Sequence, residues 1–78
     1  MRSHDKIAVR LAQIIVKLNS GERLSIDELV EEFSVNKRTI LRDFERLSIL
    51  PIQKENGKYF LEEYALGKLG FKDIKAFA

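Results

Sequence analysis

Ser25-Ile26-Asp27-Glu28-Leu29-Val30-Glu31-Glu32-Phe33-Ser34-Val35-Asn36-Lys37-Arg38-Thr39-Ile40-Leu41-Arg42-Asp43-Phe44-Glu45-Arg46-Leu47 is the stretch that decides the fold of this chain. Its first four residues form a capping box: the Ser25 hydroxyl accepts from the amide of residue 28, and the Glu28 carboxylate returns to the amide of residue 25. Ile26, Leu29, Val30 and Phe33 recur at helical spacing and predict a helix of about nine residues. Asp27, Glu28, Glu31 and Glu32 crowd its remaining surface. Ser34-Val35-Asn36 then interrupts the pattern. Asn36 is a good N-cap, so a second helix is expected from Lys37 to about Ile49. Pro51 ends it, because the residue before a proline avoids the α region. Two helices joined by so tight a turn, with Val35 pinned inside it, make a helix-turn-helix pattern.

Upstream, Ala8, Leu11, Ile15 and Leu18, flanked by Ile7 and Ile14, predict a first helix from about Asp5 to Leu18. Arg10, Gln13 and Lys17 are expected on its opposite side. Asn19-Ser20-Gly21 supplies the stop, with glycine free to turn left-handed. Glu22-Arg23-Leu24 reads as short and extended. Downstream, Ile52-Gln53-Lys54 and Tyr59-Phe60-Leu61 flank Glu55-Asn56-Gly57-Lys58. Asn-Gly between two such runs is a strong hairpin signal. The pairing sets residue 52 opposite 61 and residue 54 opposite 59, with Ile52 and Leu61 facing inward and Tyr59 beside them. Phe60 falls on the other face, where no partner is evident. After Glu62 come Tyr64, Leu66, Leu69, Phe71, Ile74 and Phe77, too apolar for a solvated tail, with Gly67 and Gly70 interrupting any single helix.

The helix after the tight turn carries the chemistry. Successive residues turn by about 100°, so Phe44 and Leu47 lie within about 40° of Ile40 and define the buried side, while Arg38 and Arg42 stand at about 160° and 200°, directly away from it. Thr39, Leu41, Glu45 and Arg46 flank them. Four cations (Lys37, Arg38, Arg42, Arg46) against Asp43 and Glu45 leave this helix at +2, whereas the preceding helix carries four carboxylates and no cation. The small overall charge therefore hides a segregation.

Such a face suits double-stranded DNA. An α-helix fits the major groove, and arginine bridges the N7 and O6 acceptors of guanine bidentately. A recognition helix presents its N-terminal residues to base edges, here Lys37, Arg38, Leu41 and Arg42, with Leu41 placed for a thymine methyl. Thr39 and the amides near Ser25 are better suited to phosphate oxygens. Lys54 and Lys58 bracket the Asn56-Gly57 tip and make the hairpin a second basic element, for a minor groove or a phosphate ridge. Taken singly, a charged helix face is usually only solvated, a capping box only a helix start and Asn-Gly only a turn. Their order and spacing are what point to DNA.

The bulk properties agree. Seventy-eight residues, 45% hydrophobic and 33% charged, make one small globular domain. With a formal charge of +2 and a pI near 9.0, the balance by itself is weak evidence for a nucleic-acid partner. There is no cysteine, so disulfides and thiolate metal sites are excluded. Apolar runs such as Ile14-Ile15-Val16 fall far short of the roughly 20 residues that span a bilayer. The charged N-terminus is followed by no signal-peptide core, and a cytoplasmic protein is expected. His4 is the only histidine, so neither a catalytic triad nor a multi-histidine metal site can be built. Gly67-Lys68-Leu69-Gly70 lacks the glycine spacing of a phosphate loop. No enzyme activity and no cofactor are expected. The competing reading is a module that uses the same fold for protein–protein contact, since fold does not settle function.

Residues Leu24 to Leu29 and Phe33 to Leu47 resemble the N-terminal winged helix-turn-helix of the DeoR-type and WYL-domain bacterial transcription regulators. In these families a capped "sxxELaeeF" helix leads into a "vSxRTIxRDlexL" recognition helix, then a proline and a "GyyL"-like wing, as in Pro51 and Gly57-Lys58-Tyr59-Phe60-Leu61. The match spans about residues 5 to 61, and Arg38-Thr39-Ile40 and Arg42-Asp43 are its most specific part. The resemblance implies that Arg38, Thr39 and Arg42 contact DNA and that Asp43 holds the helix in place. Asn36 stands where serine is commoner, a harmless N-cap exchange. Leu41 replaces a residue that is often polar, so no base preference carries over there. Leu66 to Lys75 is similar to the linker that precedes the sensor domain of WYL-type regulators. The resemblance thus implies a mainly α fold with a small β-hairpin, a three-helix core plus wing over residues 1–61. Residues 62–78 would be an extension towards a sensor domain missing from this chain. A homodimer through the apolar C-terminal segment or that missing domain is a further expectation.

Overall fold

The computed structural model describes residues 3–66, with side chains from residue 6 onward. Helix α1 spans Ser3–Asn19, strand β1 Leu24–Ser25, helix α2 Ile26–Phe33, helix α3 Lys37–Arg46, strand β2 Ile52–Glu55 and strand β3 Lys58–Leu61, followed by a 3₁₀ turn over Glu63–Ala65. Leu69, Phe71, Ile74 and Phe77, with Gly67, Lys68 and Gly70, lie outside the described residues, as does the His4 side chain.

Each boundary has a local cause. At the end of α1 the Glu22 amide donates to the Lys17 carbonyl at 3.1 Å and the Gly21 amide to that of Leu18 at 3.0 Å. Gly21 takes φ 89°, the left-handed step that this double closure requires. The α2 N-cap is Ser25, whose Oγ accepts from the Glu28 amide at 3.1 Å. Half of the expected capping box is replaced. Glu28 Oε1 faces Lys58 Nζ at 3.4 Å rather than the Ser25 amide, because Ser25 is itself a strand residue paired with Lys58. Ser34 closes α2 at φ 53°, and Asn36 opens α3 by accepting from the Thr39 amide at 2.9 Å.

Helix α3 is shorter than the position of Pro51 implies. It ends at Arg46, with Leu47 as its C-cap at φ −92° and ψ 14°. The Ser48 amide then bonds the Glu45 carbonyl at 3.1 Å and the Leu50 amide the Leu47 carbonyl at 3.0 Å, a tightening that consumes residues 48–50 before the proline is reached.

The strands form an antiparallel sheet in the order β1-β3-β2. Ile52 pairs with Leu61 and Lys54 with Tyr59, the register expected from the Asn-Gly turn. Asn56 and Gly57 take φ 53° and 76°, the left-handed pair that a two-residue hairpin loop of matching twist demands. The third strand is an addition to the expected hairpin: Leu24 of β1 pairs with Tyr59. Arg23, just before it, lies 4.1 Å over the Phe60 ring and supplies the missing partner on the outer face.

The core joins Leu11, Ile14, Ile15 and Leu18 of α1 to Leu29, Ile40, Phe44, Leu47, Leu24, Leu61 and Ala65. Phe44 stacks on Tyr59 with ring centroids 4.2 Å apart, which fixes α3 against the sheet. The Glu62 amide bonds the Pro51 carbonyl at 2.9 Å, and Ala65 is buried with Leu66 packed alongside, so residues 62–66 lie against the core. Among the described residues no helix is long and apolar enough to cross a membrane.

On the α1–α2 side, Lys17 Nζ meets Glu32 Oε1 at 3.0 Å. The hydrogen bond to Glu32 raises the Lys17 pKa above its ordinary value. A raised folded value means that the stabilisation is complete below the unfolded pKa and disappears as pH climbs through the folded one. Lys17→Gln should therefore lower the urea midpoint slightly at about pH 8 and by less at about pH 11, above the ordinary lysine value. Chemical denaturation at the two pH values checks this.

Candidate nucleic-acid interface

Asn36 builds the start of α3 through one oxygen. Its Oδ1 accepts the Thr39 amide and, at 3.0 Å, the Thr39 hydroxyl. Thr39 is accordingly half-buried and tied to the cap rather than projecting. From this start the 3.6-residue period buries Ile40, Phe44 and Leu47 and leaves Lys37, Arg38, Leu41 and Arg42 exposed. Lys37, Arg38 and Arg42 make no hydrogen bond, ion pair or ring contact among the described residues. By contrast, the surface cations Lys17, Arg23, Arg46, Lys54 and Lys58 have protein partners, while Lys6 on α1 resembles the trio in having none among the described residues.

Between α3, the start of α2 and the wing lies a cleft of about 250 Å³, lined by Ser25, Ile26, Asp27, Lys37, Leu41, Lys54, Gly57 and Tyr59. Ser25, Lys37, Leu41 and Lys54, far apart in sequence, are thus brought to one face. Lys54 Nζ sits 5.4 Å from the Tyr59 ring centre, so its head is held beside the sheet rather than swinging free. Asn56 stands exposed at the wing tip. Lys58 is exposed too, but it shares its charge with Glu28.

Two residues behave differently from the rest. Arg46 sits one turn beyond Arg42, yet its Nη1 donates to Asp43 Oδ1 at 2.8 Å, so one arm of its fork turns inward. Asp43 itself is fully buried, in line with the holding role implied by the resemblance. Its main partner is Arg10 of α1: Arg10 Nε donates to Asp43 Oδ2 and Nη2 to Oδ1 at 3.1 Å. This corrects the placing of Arg10 on the solvent side of α1, for it is only 9% exposed. Two signals pointed the other way. Arg10 is spaced three and four residues from Ile7 and Ile14, and Asp43 falls about 60° from Ile40 on the α3 wheel, at the edge of the buried side.

Three helices, a tight turn after the second and a three-stranded sheet against the third define a winged helix-turn-helix domain. Residues 10–61 match the protein-family model described as an HTH domain, and the chain belongs to that family, one of DNA-binding domains of transcription regulators. HTH domains are typically non-enzymatic. Comparison with curated proteins and with solved structures found no match.

Proposed function

We propose that the chain is the sequence-specific DNA-binding domain of a bacterial, cytoplasmic transcription regulator related to the DeoR and WYL types. Helix α3 enters the major groove, and the wing at 54–58 lies on the adjacent backbone. The observation that carries this reading is the exposed trio Lys37, Arg38 and Arg42 on α3, none of which has a partner among the described residues. Guanidinium groups facing solvent on a slim helix are complementary to guanine edges and phosphates, and no described residue competes for them.

Roles divide by position. Arg38 and Arg42 read bases, with Leu41 against a thymine methyl. Lys37, Lys54, Lys58 and Asn56 and the amides near Ser25 meet phosphates, Arg46 adds charge at the far end, and the Thr39 hydroxyl reaches a phosphate only by giving up its bond to Asn36 Oδ1. Two copies binding through residues 62–78 or an attached domain would match the two-fold habit of such operators.

Selection of bound sequences from random duplex DNA, followed by a salt titration, tests the reading. Each neutralised phosphate contributes about −0.9 to the slope of log affinity against log salt. A preferred sequence with a steep negative slope is expected. Binding indifferent to salt would instead favour a protein-binding winged helix. Lys58→Ala should weaken all duplexes about equally and reduce the salt slope by about one or less, because Glu28 already offsets part of its charge. Competition of a selected against a scrambled duplex measures that uniformity.

A further inference from the structure

We propose that Arg10, in the first helix and outside the DNA-facing surface, is a positioning residue that sets the rotation of α3 and so the aim of Arg38 and Arg42. The inference rests on the DNA-binding reading above.

Asp43 follows Arg42 directly in the chain but lies about 100° further round the helix and is buried in the protein. Its carboxylate is closed by three donors: Arg10 Nε on Oδ2, and on Oδ1 both Arg10 Nη2 at 3.1 Å and Arg46 Nη1 at 2.8 Å. The Arg10 fork reaches across 33 residues of sequence and takes both oxygens. A planar, two-pronged contact of this kind is directional. The Phe44–Tyr59 stack fixes the side of α3 that meets the sheet, and the apolar packing of Ile14, Ile40 and Leu47 is less directional than such a fork.

The distances make the distinction matter. Side-chain ends on α3 travel on a radius of about 5–6 Å, so a rotation of about 20° moves them by roughly 2 Å. Hydrogen bonds to base edges tolerate only about 2.7–3.2 Å between heavy atoms. A helix held by apolar contacts alone would keep its charge near the DNA while losing its aim. Replacing a buried ion pair with apolar side chains of similar volume is often neutral or stabilising, so stability alone gives little reason for this pair. Geometry gives one.

The test compares the wild-type chain with Arg10→Met/Asp43→Leu, which removes both charges together and frees the half-exposed Arg46 to turn to solvent. The readouts are melting temperature, affinity for an unrelated duplex with its salt slope, and the ratio of affinities for a selected and an unrelated duplex. The expected result is unchanged melting and unchanged non-specific binding, with the ratio lowered about tenfold, roughly the worth of one bidentate base contact. A folded double variant with wild-type discrimination overturns the proposal. Should the pair of substitutions prevent folding, Arg10→Lys keeps the charge but loses the fork, and the same loss of ratio is expected of it. Full discrimination by the lysine variant overturns the proposal equally. A wild-type chain that selects no duplex overturns the DNA reading, and this inference with it, before any variant is compared.

Discussion

Asp43→Ala is expected to destabilise the domain by about 3–5 kcal/mol, the usual consequence of removing one member of a buried ion pair. The carboxylate is fully enclosed, and the Arg10 side chain that it neutralises is only 10% exposed. Without Asp43 that guanidinium keeps its charge, because arginine does not deprotonate, and its small exposure lets little solvent replace the lost oxygens. Domains of this size have about 4–12 kcal/mol of stability in all, so the variant should lose roughly a quarter of it or more. Thermal unfolding followed by circular dichroism should show a midpoint lowered by at least about 12 °C. Arg46→Ala is the internal contrast. Its side chain is 41% exposed, so its removal leaves no charge sealed from solvent and should cost about 1 kcal/mol or less. An Asp43→Ala domain that melts within a few degrees of wild type would mean that the Arg10 pocket admits water.

The second large effect concerns DNA. Arg42→Ala should weaken binding to a selected duplex by about 1–3 kcal/mol, and relax preference at one base position, if the guanidinium bridges a guanine edge. Stability should stay within about 0.5 kcal/mol of wild type, because Arg42 is exposed and makes no hydrogen bond, ion pair or ring contact among the described residues. This pattern is the reverse of Asp43→Ala, although the two residues are adjacent. Competition binding with duplexes substituted one base pair at a time reads both the loss and its position. Unaltered affinity for the selected duplex would place α3 in the wrong orientation.

Much of this is legible in the sequence because local rules agree. Ser25 and Asn36 are side chains whose oxygens cap helices a few residues away, and Asn56-Gly57 dictates the strand register by turn geometry alone. The outward aim of Arg38 and Arg42 followed from the helical period. What escaped depends on contacts distant in sequence. β1 is only two residues long, and nothing in Leu24-Ser25 announces that β3 will pair with it. Arg23 reaches Phe60 across a similar gap. Arg10 sits at the margin of an apolar stripe, where a cation ordinarily snorkels to water. Its burial makes sense only once Asp43 arrives opposite. The early end of α3 is a matter of backbone hydrogen bonds at Leu47 and Ser48, whereas the visible signal, Pro51, marks only the last place a helix could reach.

The central claim is that the Arg38 and Arg42 side of α3 lies in the major groove. Methylating guanine N7 puts a methyl group in that groove and nowhere else. Interference at one or a few guanines of a selected duplex, with one of them losing its effect in Arg42→Ala, is the predicted pattern. Binding that ignores N7 methylation at every guanine, or interference identical in wild type and Arg42→Ala, would contradict it.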